Sequence, residues 1–206
     1  LYLGGYFGKD IYGFKSTSGT TFAQMGWRNG IASLRWNYIM TPQLFLNTSA
    51  TFSDYHFDTK LGMDVYEFNL FSGVRDYGLK TELTYLPAIP HLFKFGVHYI
   101  YHTFFPNNYE VEAGNLTELS IPMSKPYYAH DLAFYANDEF NITKWLRVNI
   151  GARYTFFAHT GRFTRYILDD FNNILDSITY KRGESIKTYN YVEPRLSLRF
   201  LIDSNT

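Results

Sequence analysis

His98 and His102 stand four residues apart, the spacing that on a helix lets two imidazoles share one metal ion. On a strand, the same spacing spans roughly 13 Å, too far for one ion with bonds of about 2.0–2.1 Å. The chain has no cysteine and no further clustered histidine, so no metal site is expected. Both histidines are expected on the polar, interior side of a sheet. A second constellation is Arg147, Arg153, Arg195 and Arg199, with Glu139 and Glu193 nearby. These lie on the polar face of two successive strands and could guide an anionic ligand. They could equally form a solvated interior whose charges cancel, and the mixed signs favour that reading. Asp76, Arg35, Lys80, Glu82 and Lys94 continue the same mixture. A turn centred on Thr143 would set Glu139 opposite Arg147 and let them pair across strands.

A third group of candidates lies in polar connections. Tyr109 falls in residues 106–126, and Phe163, Tyr166, Phe171 and Tyr180 fall in 159–187. Exposed rings there could stack on a sugar or an aromatic ligand. They could also pack loop against loop, and both readings stay open. The chain carries no phosphate-binding loop, no nucleophile elbow and no carboxylate pair with acid–base spacing. No enzymatic activity and no cofactor are therefore expected. Nineteen basic residues balance nineteen acidic ones, which gives no support for a nucleic-acid partner, because counterion release needs a basic surface.

The elements that must position these residues follow from period-two alternation. Leu146, Val148, Ile150, Ala152, Tyr154 and Phe156 fall on one face of a strand, and Arg147, Asn149, Gly151, Arg153 and Thr155 on the other. A 3.6-residue period would scatter the arginines around a helix axis. The pattern recurs in residues 32–40, 44–53, 76–85, 93–102, 131–137 and 193–200, and residues 1–14 read as a further strand without clear faces. That gives about eight strands. Short turns are expected at 41–42, 87–91, 141–144 and 203–205, and long polar connections at 15–24, 54–72, 106–126 and 159–187. Pro194 implies a bulge in its strand, and Asp138, on an apolar face, belongs near the end of its strand.

Short turns alternating with long connections suit an antiparallel transmembrane β-barrel. Aromatic residues make up 20% of the chain, more rings than a narrow soluble barrel could enclose. Against lipid they need no such packing, and rings near strand ends form interfacial girdles. The expectation is an all-β fold, one barrel segment over residues 1–206 that belongs to a larger barrel, in contact with a lipid bilayer. The longest apolar run is residues 132–136, far short of the roughly 20 that a membrane helix needs.

Leu132-Ala-Phe-Tyr-Ala-Asn-Asp-Glu-Phe-Asn-Ile-Thr-Lys-Trp-Leu-Arg-Val-Asn-Ile-Gly-Ala-Arg-Tyr154 resembles the barrel of TonB-dependent outer-membrane receptors of the Bacteroidota type. Tyr191-Val-Glu-Pro-Arg-Leu-Ser-Leu-Arg-Phe200 is similar to that group's Glu-Pro-Arg-Leu-Ser strand, and Phe95-Gly-Val-His98 to the strand preceding them. The resemblance covers most of residues 92–202. It implies a mid-barrel segment of a wall of roughly 22 strands, in the bacterial outer membrane, with a plug domain of the same protein inside. It also implies a TonB complex that drives import of a scarce small nutrient (siderophore, cobalamin, glycan or peptide), and in some relatives a surface lipoprotein. A passive porin and a closed eight-stranded structural or adhesive barrel are the alternatives.

Overall fold

In the computed structural model, the described residues are 1–17, 21–87, 90–113, 116–119 and 124–202. They form eleven strands: β1 (Tyr2–Lys15), β2 (Thr21–Thr41), β3 (Leu44–Met63), β4 (Tyr66–Tyr85), β5 (Leu92–Ala113), β6 (Leu116–Leu119), β7 (Tyr127–Asn141), β8 (Leu146–Thr160), β9 (Phe163–Leu168), β10 (Ile174–Tyr180) and β11 (Ser185–Phe200). Eight of them make an antiparallel sheet in the order β1-β2-β3-β4-β5-β7-β8-β11, with β6 appended to β5. β9 and β10 form a separate hairpin. The sheet is open: β1 and β11 each have one neighbour among the described residues. The expected all-β meander of eight strands is what the chain forms.

The pairing register links faces that the sequence defines strand by strand. Trp36 pairs Thr48, Thr48 pairs Thr81, Thr81 pairs Val97, and Val97 pairs Phe134, which pairs Tyr154 and through it Val192. Residues paired across strands share a face, so these apolar sets merge into one continuous surface, here termed outer. The opposite, inner face carries the polar sets and a groove among Arg35, Asn37, Asn47, Ser49, Lys80 and Glu82. β1 acquires its faces from this register: Leu3 pairs Leu34 on the outer side and Tyr2 pairs Arg35 on the inner.

Four expectations need correction. Residues 54–72 are not a polar loop: β3 and β4 continue through them and meet at a turn of two residues, 64–65, where Asp64 has φ 54°, a left-handed conformation that aspartate tolerates. Strand likewise occupies 21–24, 106–113 and most of 159–187. Pro106 lies within β5, and the ladder to β4 shifts between Phe71 and Gly73 opposite it. A proline has no N–H to give a ladder, and a bulge absorbs the loss. Pro194, by contrast, causes no bulge. It pairs Ala152 in unbroken register with β8, so its missing N–H is absorbed without an extra residue. Finally, Asn141, not Glu139, opposes Arg147. Residues 203–205 lie outside the described residues, as do 88 and 89 of the turn at 87–91.

The sequence pattern broke at Asp54 because the alternation changes phase there. Below it, the outer positions of β3 are Leu44, Leu46, Thr48, Ala50 and Phe52; above it they are Asp54, His56, Asp58 and Lys60, while Tyr55, Phe57, Leu61 and Met63 turn inward. β4 does the same, with Tyr77, Leu79, Leu83 and Tyr85 outside but Arg75, Asn69 and Glu67 outside further up. On the outer face the boundary follows one ladder row, Phe52–Tyr77–Tyr101. The sheet thus has an apolar outer band with a polar outer extension above it.

No large side chain among the described residues is fully buried, and the buried apolar residues are Ala129, Ala133, Val148 and Ala158. The outer band is bare: Leu79 is 50% exposed, Leu196 67% and Leu3 82%. Its apolar positions run across all eight strands of the sheet, whereas a contiguous apolar patch on a water-soluble monomer is usually limited to a few hundred Å².

Candidate functional site

Within the apolar band, every charged residue of the described strands but Asp138 is on the inner face, and several of them pair along or across strands. Glu82 on β4 receives a hydrogen bond from the Tyr135 hydroxyl of β7 at 2.5 Å and an ion pair from Lys80 at 3.5 Å. Lys80 also sits 5.6 Å from the centroid of the Tyr135 ring. Between β4 and β7 runs β5, and Gly96 is the β5 residue paired with both Glu82 and Tyr135. A Cβ on Gly96 would lie 2.1 Å from the Tyr135 ring. The glycine therefore leaves the space through which the tyrosine crosses one strand to reach the carboxylate.

A second network joins β8 to β11. Thr155 donates to Glu193 at 3.1 Å, and Arg195 donates to the other Glu193 oxygen at 3.0 Å. Arg153 approaches Glu193 at 4.0 Å and donates to Thr155 at 3.2 Å. Near the short turns, Arg147 binds Glu139 at 3.1 Å and Asn141 at 3.0 Å. The pairing with Glu139 thus forms along the diagonal. Arg199 pairs Arg147 in register and has no ion-pair partner among the described residues. His98 and His102 both face inward on β5, where His102 lies 2.8 Å from Asp76. Lys94 and Arg35 face inward too, Lys94 opposite Asn137 and Arg35 in the groove of about 300 Å³ beside Lys80 and Glu82. Acidic and basic side chains thus stand side by side on this face, as in the Lys80–Glu82, Arg147–Glu139 and Arg195–Glu193 pairs. Asp138 is the one acidic residue on the outer band; it sits toward the short-turn end and is held by His91 at 2.8 Å.

Above the phase change the inner face becomes aromatic and apolar. Trp27, Tyr55, Phe57, Phe68, Leu70 and Tyr109 line it, with Phe68 and Tyr109 5.8 Å apart. Of the loop candidates, Tyr109 therefore belongs to a strand. Phe163 and Tyr180 are brought together as a cross-strand pair of the β9–β10 hairpin. They line a cavity of about 410 Å³ with Lys125, Arg162, Lys181 and Arg182. Tyr127 and His159 contact Phe163 at 5.9 and 6.3 Å. Tyr166 pairs Ser177 further along the hairpin, and Phe171 is 86% exposed at its tip; neither lines this cavity. Sequence reasoning missed Tyr135, whose signal was an aromatic on a polar face. It also missed the four cations around Phe163, which are scattered in sequence and gathered only by the hairpin.

The hairpin tip is tied by Asp169, which accepts hydrogen bonds from the Asn173 side chain at 2.9 Å and from the backbone N–H groups of Asn173 and Phe171 at 2.8 Å each. Asn172 there has φ 64°. These donors, the Asn173 side chain foremost, hold the carboxyl below its ordinary pKa. A depressed folded-state value means that the tip is supported at neutral pH and loses that support as pH falls through the depressed value. Protection of the Phe171 and Asn173 amides against exchange, relative to their intrinsic rates, should accordingly fall in acid, and Asp169→Ala should lack it already at pH 7.

A comparison with protein-family models finds no match for this chain, and a comparison with curated proteins finds none either.

Proposed function

We propose that this chain is part of the wall of a bacterial outer-membrane β-barrel, and that the barrel is a TonB-dependent receptor importing a scarce nutrient. The observation that carries the membrane reading is the phase inversion. A sheet covered by a second protein layer has no reason to exchange the polarity of its faces at one ladder row. A sheet that leaves lipid for water does: its outer face must be apolar within the bilayer and polar beyond it. The height agrees. Eight steps from Phe93 to Tyr101 at about 3.4 Å, tilted by roughly 40°, give about 21 Å, near the apolar band of about 25 Å in such barrels. Rings mark both limits: Tyr85, Phe93 and Phe140 below, and Phe52, Tyr77 and Tyr101 above. No helix among the described residues is long and apolar enough to cross a membrane, so any crossing is made by strands.

Among the described residues β1 and β11 each have one neighbour; a larger barrel would pair their other sides, since lipid cannot satisfy unpaired N–H and C=O groups. The narrower reading, with a plug and a TonB complex as partners, is supported by the likeness of residues 132–154 and 191–200 to that family. In it, ligand meets the aromatic mouth and the cationic hairpin cavity. The two segments that carry the hairpin are joined beneath it, by Gly161 donating to Glu184 at 2.9 Å and Gly183 to Gly161 at 3.1 Å.

Excising residues 163–180 should therefore leave the wall folded while abolishing ligand uptake. Uptake by the unaltered protein should also stop when the proton gradient is dissipated. Uptake insensitive to the gradient, together with steady conductance in a planar bilayer, would favour the porin instead. Undiminished uptake after the excision would remove the hairpin from the account.

A further inference from the structure

Just above the apolar band, the outer face presents two neighbouring cations, Lys9 and Arg28. Lys9 on β1 is paired directly with Arg28 on β2, and Arg28 with His56 on β3. Like charges directly opposite one another across strands are destabilising, and neither the Lys9 nor the Arg28 side chain has an ion-pair or hydrogen-bond partner among the described residues. The acids nearby are otherwise placed. Asp54 is engaged by Arg75 at 3.1 Å and His56 at 3.2 Å, and Asp58 lies one row further out, over Gly26. Both Lys9 and Arg28 are exposed.

Their height is informative. The Lys9–Arg28–His56 row stands four residues beyond Phe52, or about 10 Å above the upper aromatic row at a rise of about 3.4 Å and a tilt near 40°. The bilayer's headgroup layer begins at that aromatic row and is about 5–8 Å deep. Long basic side chains can bend back into it with their stems along the strand. A phosphate set between the two heads would relieve their repulsion and receive charge-assisted hydrogen bonds from both.

We propose that Lys9 and Arg28 form a binding site for the phosphate of an anionic lipid headgroup on the outer surface of the barrel. The proposal rests on the membrane reading above. With the long hairpins on the cell's exterior side, the lipid belongs to the outer leaflet.

The test uses the full-length protein purified from membranes, with lipid A as probe and phosphatidylcholine as the zwitterionic control. Native mass spectrometry should show lipid A retained by the unaltered protein, and K9Q/R28Q should weaken that retention at least tenfold. K9R/R28K should keep most of it. In phosphatidylcholine vesicles, K9Q/R28Q should be at least as stable as the unaltered protein, since the repulsion is gone. Equal retention by K9Q/R28Q would overturn the proposal, and so would displacement of the lipid by millimolar inorganic phosphate, which would make this a free-anion site. Failure of the unaltered protein to insert into any vesicle would instead overturn the membrane reading itself.

Discussion

Replacing Val97 with arginine should destabilise the protein in a bilayer by roughly 2–4 kcal/mol, whereas Asn149→Arg should change stability by less than about 1 kcal/mol. Val97 sits in the middle ladder row of the outer band, between Thr81 and Phe134, and is itself exposed. In lipid, an arginine there must either lose its water or thin the bilayer around itself. Asn149 lies on the inner face of β8, directly opposite Glu139, so a guanidinium at that position stays in water and can share that carboxylate with Arg147. The comparison separates lipid from water as the medium outside the sheet. Were the outer face bathed in water, Val97→Arg would be nearly neutral, because an exposed surface substitution rarely exceeds about 0.5 kcal/mol. Urea unfolding in lipid vesicles reads both variants.

The second large effect is expected at the strand crossing. Gly96→Ala should cost about 1–3 kcal/mol, the cost of leaving a half-buried acceptor without its donor. The added methyl cannot share space with the Tyr135 ring, whose nearest atom would be 2.1 Å away. The ring must leave, and Glu82 then loses its tyrosine donor, while Lys80 loses the ring beneath its ammonium group. Because the whole penalty passes through Tyr135, the two positions should be strongly non-additive. In a Tyr135→Ala background, Gly96→Ala should be close to neutral, and it could even stabilise the strand, since glycine weakens strand interiors. Equal costs in both backgrounds would show that the methyl clashes with something other than the ring.

The two halves of the sheet were unequally legible. Within the apolar band, the alternation of every strand but β1 was clear from its own residues, and the register joined those faces and gave β1 its own. Ala32, Leu34, Trp36 and Tyr38 of β2 meet Phe52, Ala50, Thr48 and Leu46 of β3. Above the band, the same chain looked like polar loop. The cause is physical: period two persists, but its phase reverses at Asp54, so Tyr55, Phe57 and Leu61 fall where the lower pattern demands polar residues. A reader following one phase sees the pattern end. The inner-face pairs were partly legible, because Arg147 and Glu139 needed only approximate register to meet on a diagonal. The Tyr135–Glu82 bond was not. It depends on a glycine on the strand between them, and no local pattern announces that. The cavity around Phe163 and Tyr180 was half seen: the rings were recognisable, and the cations were not, since they converge only through the β9–β10 hairpin.

The most direct measurement of the central claim is a scan of single cysteines along β3, Leu44–Met63, in the protein reconstituted in lipid. The chain has no native cysteine, so each introduced thiol is the only one in the described sequence and can carry a spin label. Accessibility to oxygen, which concentrates in lipid, is compared with accessibility to a water-soluble nickel complex. High oxygen accessibility is expected at positions 44, 46, 48, 50 and 52, and then a reversal, with positions 54, 56, 58 and 60 open to the nickel complex. Even-numbered positions open to nickel along the whole strand, or closed to both probes below residue 54, would contradict the claim: the first would put water, and the second a packed protein layer, where the claim puts lipid.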